Sequence, residues 1–235
     1  MLTLAIDTSA VTASVAIVKD SSVISEFSLT GGLTHSEHLI PMIESCLKYS
    51  ALSCDDIELF AVSNGPGSFT GLRIGIASIK GLAFKNNTPC VGVSTLEALA
   101  LRLSGIDGVI CPAMDARRNE FYNALFTFEN GELKRLCSDR AISSDDLKKE
   151  LSSYEKVIIN GDGAYKLHKL IGDERIVCAN PQFIRQNAAA VALLAEKKYK
   201  NGEYVTPEKL SAVYLRLPQA QRELLEKERL KGEIK

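Results

Sequence analysis

The sequence predicts an α/β protein made of two copies of one element order, β-β-β-α-β-α-β-α, facing each other as two lobes. Three observations carry this reading. Short β-like runs alternate with helical stretches along most of the 235 residues. An apolar run ending on an acid occurs twice, at 2–6 before Asp7 and at 109–114 before Asp115. A glycine-bounded turn joins a later strand to a helix in each half, at 65–71 and at 161–163.

In the first copy, runs 2–6, 13–18 and 23–29 are joined by short polar turns and suit an antiparallel meander. A helix from Thr34 to about Tyr49 follows, with Thr34 and Glu37 at capping-box spacing and Pro41 as an expected kink. Then come a strand at 59–63, the loop 64–68, a helix at 69–85, a strand at 90–93 and a helix at 94–103 capped by Ser94. In the second copy, strands are expected at 109–114, 121–128 and 133–137, and a helix at 143–151. A strand at 157–159, a helix at 164–171, a strand at 175–178 and an alanine-rich helix at 187–199 complete it. This duplicated order is the plan of the actin, hexokinase and Hsp70 group, the ASKHA fold. It divides the chain into an N-terminal actin-like lobe at 1–104, a C-terminal actin-like lobe at 105–217 and a charged tail at 218–235. Within 206–218 an extended piece is expected at 212–217.

Composition narrows the function. With 46% hydrophobic residues the chain can bury a core, which excludes disorder as a whole. Lysine and arginine number 28 against 29 acids, so nothing at whole-chain scale marks a protein that grips nucleic acid by itself. No apolar run reaches the roughly 20 residues needed to span a bilayer, and the start lacks signal-peptide character. Six singly scattered cysteines read as small buried hydrophobes of a reducing compartment, so a cytoplasmic address is expected.

Several residues could carry chemistry. Asp7, at the end of the first strand, either orients a metal-bound water or anchors its turn by Asx-type bonding. The loop Gly65-Pro66-Gly67-Ser68-Phe69-Thr70-Gly71 either cradles an anion at a helix N-terminus or is a tight turn capped by Ser68. It is no P-loop, since no Gly-Lys-Ser/Thr follows. Behind it, Leu72, Ile76, Ile79 and Ala83 form one helical stripe, and Gly71, Gly75, Ser78 and Leu82 a second, small-residue stripe. Each interior glycine costs about 1 kcal/mol against alanine, which fits the close approach of another helix backbone. Leu39, Ile40, Met42, Ile43 and Leu47 cover more than one face of the earlier helix, and the surplus predicts a protein partner. His35 and His38 lack both the i, i+4 spacing and a third ligand that a metallopeptidase needs. His168 reads as a surface residue. Asp115-Ala116-Arg117-Arg118 is either a solvated turn or a contact for phosphate or RNA. No cysteine or serine has nucleophile context.

The strings Ala5-Ile6-Asp7-Thr8-Ser9, Thr34-His35-Ser36-Glu37, Gly65 through Arg73, Asp115-Ala116-Arg117-Arg118 and Tyr214-Leu215-Arg216 resemble, in order, those of the bacterial TsaB (YeaZ) family. His38 stands where that family more often has a basic residue. The resemblance implies a part in making N6-threonylcarbamoyladenosine beside the anticodon of tRNAs. It implies a non-catalytic subunit that docks the transferase TsaD and works with the ATPase TsaE, reaching tRNA through the complex. A homodimer through the same surface is expected without TsaD. The implied partner-binding set is His35, Leu39, Met42, Ile43, Leu47, Gly71, Gly75, Ser78 and Leu82. No cofactor is expected to bind tightly to the chain alone; a nucleotide at the TsaD interface would involve Asp7, Gly65, Gly67, Ser68, Thr70, Arg73, Arg117 and Arg118. The alternative is a stand-alone actin-like ATPase or phosphotransferase using Asp7 and the glycine loops. No catalytic or metal-ligating residue is assigned.

Overall fold

The computed structural model describes residues 1–31 and 34–216. The tail at 218–235 and Leu217 lie outside the described residues. The first sheet has the order β3-β2-β1-β4-β5, from β1 (Leu2–Asp7), β2 (Thr12–Lys19), β3 (Ser22–Thr30), β4 (Leu59–Gly65) and β5 (Cys90–Ser94). β1 pairs antiparallel with β2 and parallel with β4, placing Ala5 opposite both Ala16 and Ala61. Every residue of β1 is buried, as a central strand covered on both faces requires, whereas β3 is an exposed edge.

The second sheet repeats the plan with β6 (Val109–Asp115) at its centre, antiparallel to β7 (Glu120–Asn123) and parallel to β11 (Val157–Asn160). β10 (Arg140–Ser143) and β12 (Ile176–Cys178) close its edges, and β8 (Phe126–Glu129) with β9 (Glu132–Arg135) forms a side hairpin on β6. The chain thus has the two-lobed actin-like architecture, with additional short strands in the second copy. The expected strand at 121–128 breaks at Ala124-Leu125, where Leu125 turns its N–H to Cys137 Sγ at 3.2 Å instead of to a ladder. β10 was not expected from sequence: its alternation is too short to separate from a loop.

The helices are α1 (His35–Tyr49), α2 (Phe69–Phe84), α3 (Thr95–Leu101), α4 (Ser144–Leu151), α5 (Ala164–Ile171) and α6 (Ala188–Lys200). Ser68, Ser94, Ser143 and Asn187 cap α2, α3, α4 and α6 by accepting backbone N–H groups. The capping box expected at Thr34 and Glu37 is absent: Thr34 Oγ1 pairs with Ser36 Oγ at 3.0 Å, and only the Thr34 carbonyl meets the Glu37 N–H. α1 runs through Pro41, which sits on its exposed side.

The core has three buried clusters, and α3 of the first copy lends Leu96, Leu99 and Ala100 to that of the second lobe. Leu4, Ile6, Val15, Phe60 and Val62 meet α1 and α2 on one face of the first sheet, while Phe121, Phe126, Ile158 and Leu167 anchor the second lobe. The other face of the first sheet is covered by α6, the last helix of the second copy, whose alanines pack on Ala5, Ala16, Ala61 and Val91. Small residues on both sides let helix and sheet approach closely. Glu196, buried in α6, pins this joint by accepting from Thr3 Oγ1 at 3.2 Å, the Ser21 N–H at 3.0 Å and Ser21 Oγ at 3.1 Å.

Candidate functional site

The two acids ending β1 and β6 occupy equivalent places with different surroundings. Asp7 is sealed: one carboxylate oxygen accepts from the Ser9 N–H at 2.9 Å and Ser9 Oγ at 2.6 Å, the other from Ser63 Oγ at 2.6 Å. Burial raises its pKa, and the hydroxyl and amide donors pull it back. Asp115 makes the same Asx turn, accepting from the Arg117 N–H at 2.8 Å, but stands in the cleft and pairs with Lys166 at 3.0 Å. Geometry therefore favours Asp7 as turn anchor, since its acceptors are taken by serines.

The β1–β2 turn and the 65–71 loop are packed against each other. The Ser68 N–H donates to Ser9 O at 2.7 Å, Thr8 Oγ1 donates to Gly71 O at 2.8 Å, and a Cβ on Gly67 would meet Ser9. A phosphate held between these loops would need both hydrogen bonds broken. Gly65, at φ 139°, has no room for a Cβ because the Val213 carbonyl passes over it.

Beside these loops a cavity of about 770 Å³ opens between the lobes. The first lobe supplies Ser9, His35, Gly67, Ser68 and Thr70, and the second supplies Met114, Asp115, Arg117, Tyr122 and Asp162. Residues 213–216 form part of its rim. Of the residues expected to touch nucleotide or RNA, Gly67, Ser68, Thr70 and Arg117 line it. Asp7, Gly65, Arg73 and Arg118 do not. Arg73 instead stacks on Phe69 at 3.8 Å and donates to Tyr214 Oη at 3.3 Å, with Tyr214 4.7 Å from Phe69. Arg117, Arg118 and Asn119 have φ of 66°, 52° and 58°, which presents both arginines on the β6–β7 turn.

Sequence reasoning named the Gly161–Gly163 loop but not Asp162 as a titrating group. Its carboxyl sits in the cleft, ringed by protein yet reachable by water, and burial pushes it up to about 6. Asp115 nearby adds to the rise, and the backbone N–H and Gln186 oppose it. An acid between two glycines at a helix entry is the only signal the sequence offers; its closeness to Asp115 comes from the fold.

The partner-binding set needs a correction. Leu39, Met42 and Ile43 belong to the first-lobe core, and Gly71 and Gly75 are buried against Thr8. What those glycines admit is therefore the chain's own β1–β2 turn, the Thr8 carbonyl at Gly71 and the Thr8 side chain at Gly75, not another helix. His35 Nε2 donates to Ala10 O at 2.6 Å, which commits that nitrogen. Among the described residues no group of three His, Cys, Asp or Glu could hold a metal, so the His35–His38 pair stays without a third ligand. What stays partly open to water is a narrower seam: exposed Ile40 and half-buried Leu47 on α1, and half-buried Ile74, Ser78 and Leu82 on α2, of which Leu47, Ile74 and Leu82 also pack against the first-lobe core and Ile74 lines the cavity. Exposed Phe84 and Tyr49 stand at the C-terminal ends of these helices, and Tyr49 stacks on Phe27 at 6.1 Å.

The chain is similar in sequence and in overall fold to known proteins. A family model described as TsaD, tRNA N6-adenosine threonylcarbamoyltransferase, matches residues 30–200. The Bacillus subtilis tRNA threonylcarbamoyladenosine biosynthesis protein TsaB is 30% identical over 97% of this chain and 100% of its own length. The Escherichia coli protein of the same name is 32% identical over 92% and 95%. The structure of YeaZ from Pseudomonas aeruginosa superposes with a TM-score of 0.77 at 25% identity, over 91% of this chain and 99% of that one. A second Pseudomonas aeruginosa structure, an uncharacterized protein with similarity to peptidase YEAZ, reaches 0.80 at 25% identity, over 92% of this chain and 99% of that one.

Proposed function

This chain belongs to the TsaB family of tRNA threonylcarbamoyladenosine biosynthesis proteins, and on that premise we propose that it is the non-catalytic subunit that docks TsaD. The observation that carries the reading is the outer seam of α1 and α2. Ile40 and Leu47 lie one helical face apart from the core stripe, and Ile74, Ser78 and Leu82 repeat at i, i+4 and i+8. After the fold has buried Leu39, Ile43, Gly71 and Gly75, this strip of aliphatic and small side chains remains on two adjacent helices. That is the texture of an interface core. A second copy of the chain takes the same place when TsaD is absent. The commitment of His35 to Ala10 and of Asp7 to its serines supports a role without metal or phosphoryl chemistry of its own. TsaE joins the assembly, tRNA reaches it through the complex, and any nucleotide lies where the 65–71 loop meets TsaD. The setting is cytoplasmic; no helix among the described residues is long and apolar enough to cross a membrane.

Mixing the purified chain with TsaD and TsaE tests this. The chain alone should transfer no threonylcarbamoyl group, and adding it should raise the rate of the other two. Ile40→Arg and Ser78→Arg should each weaken association with TsaD at least tenfold by calorimetry, with the melting temperature of the Ile40 variant held within about 2 °C, as expected for an exposed site. Equal transfer with and without the chain would overturn the proposal. Tight magnesium–nucleotide binding by the isolated chain would favour the stand-alone ATPase reading instead.

A further inference from the structure

At whole-chain scale 28 basic residues meet 29 acids, so a grip on a polyanion requires a local excess of cations. The cleft mouth has one. The acids there already have cations beside them: Asp115 pairs with Lys166, Glu120 pairs with Arg216, and Arg185 acts on Asp162 as a nearby charge. Arg73, Arg117 and Arg118 are exposed around the same opening. Arg117 lines the cavity and Arg118 follows it on the β6–β7 turn of the second lobe. Arg73 stands on the first lobe, held by Phe69 and Tyr214, which line the cavity from that side. Among the described residues no acid pairs with Arg73 or Arg118.

The layout decides between anions. A lone phosphate or a nucleotide wants a cradle of backbone N–H groups, and the 65–71 loop is packed on the first hairpin turn, with the Ser68 N–H given to Ser9 O. The mouth instead offers guanidinium groups spread over two lobes, with ring surface beside one of them. Tyr214 is 42% exposed and lies 4.7 Å from Phe69, whose ring carries the Arg73 guanidinium at 3.8 Å. Spaced arginines next to an open aromatic ring suit a nucleic-acid strand, with phosphates on the guanidinium groups and a base against the ring.

We propose that Arg73, Arg117 and Arg118 form a contact surface for the sugar-phosphate backbone of RNA, with Tyr214 as a platform for a base, so that this chain touches the tRNA itself. The inference rests on the reading of the chain as a subunit of a tRNA-modifying complex and adds a direct contact to it.

A fluorescently labelled tRNA transcript is titrated by anisotropy with the full chain, and again with its complex with TsaD, between about 50 and 200 mM salt. In at least one of the two forms, affinity should fall as salt rises. There, Arg73→Gln, Arg117→Gln and Arg118→Gln should each weaken binding severalfold and make the logarithmic salt slope shallower by about 1. The triple variant should lose at least tenfold. Arg73→Lys keeps the charge while giving up the stack on Phe69, and should keep the slope. Lys148→Gln combined with Lys149→Gln, on exposed α4 positions off the cavity wall, should change neither quantity. Calorimetry with TsaD runs in parallel, and the arginine variants should bind TsaD as the native chain does, so a failure to dock and a failure to touch RNA are read separately. The proposal is overturned if neither form binds tRNA, if the triple variant keeps native affinity and slope, or if the α4 variant loses as much. It is equally overturned if the triple variant is weakened for TsaD alone, which would make the rim a protein contact. Arg117→Gln with Arg118→Gln, on an exposed turn, carries the test should Arg73→Gln fold poorly.

Discussion

Thr8 and Gly75 meet where the first hairpin turn enters the groove of α2, and the fit leaves no slack. A Cβ on Gly75 would overlap Thr8 Oγ1, the atom that donates to Gly71 O. Gly75→Ala should therefore destabilise the fold by about 2 kcal/mol, as overpacked sites do. Thr8→Ala should cost about 1 kcal/mol for its hydrogen bond. The double variant should be less destabilised than the sum, because removing Oγ1 makes room, and a urea-melt cycle reads the coupling. The cost of glycine in a helix was legible in the sequence; what fills the notch was not, since that depends on a turn some 60 residues away in the chain. Asp162 bears a pH signature. Its folded pKa of about 6 exceeds the ordinary carboxylate value, so the native state holds the proton more tightly than the unfolded chain. Its contribution is most favourable below about pH 4 and is lost as pH rises toward 6. Asp162→Asn should then raise stability at pH 7.5 by about 1 kcal/mol after allowing for water's access to the cleft, and leave it unchanged near pH 4. Denaturant melts at both pH values check this.

At the scale of elements, runs with one dominant environment were the easiest to foresee. β1, β4 and β6 are buried along almost their whole length and read as apolar runs, and Ser68, Ser94 and Ser143 announced their helices by their caps. Elements whose identity rests on neighbours were not. β10 exists because β7 offers it an edge, and the break before β8 exists because Cys137 accepts the Leu125 N–H. The alanine content of α6 foretold a helix but not its destination on the opposite lobe. That destination makes Glu196 a sharp test. Glu196→Ala would strand buried Thr3 Oγ1 and remove the partner of the part-buried Ser21 N–H, and should cost about 2–3 kcal/mol by thermal or urea denaturation. Glu196→Gln, which keeps the acceptor oxygen, should cost less.

For the molecule as a whole, two sheets repeat one plan and the departures from symmetry shape the cleft between them. Both acids end their strands in the same Asx turn, yet serines close the first and the cleft receives the second. The sequence showed the symmetry through its repeated order, while the asymmetry lives in contacts between distant segments, such as Arg216 with Glu120. The site was legible to a similar degree. The loop at 65–71 stood out by composition, but its partnership with Ser9 and with Val213 required three dimensions.

The seat of α6 on the first sheet has a further consequence during synthesis. Ala5, Ala16, Ala61 and Val91 leave the ribosome long before residues 188–200, which are their cover. At roughly 5–20 residues per second, the front half of the nascent chain waits on the order of 5–20 seconds with an oily sheet bare. Holding factors that shield emerging polypeptides therefore have a defined client window here, and it closes only once residues 188–200 have emerged.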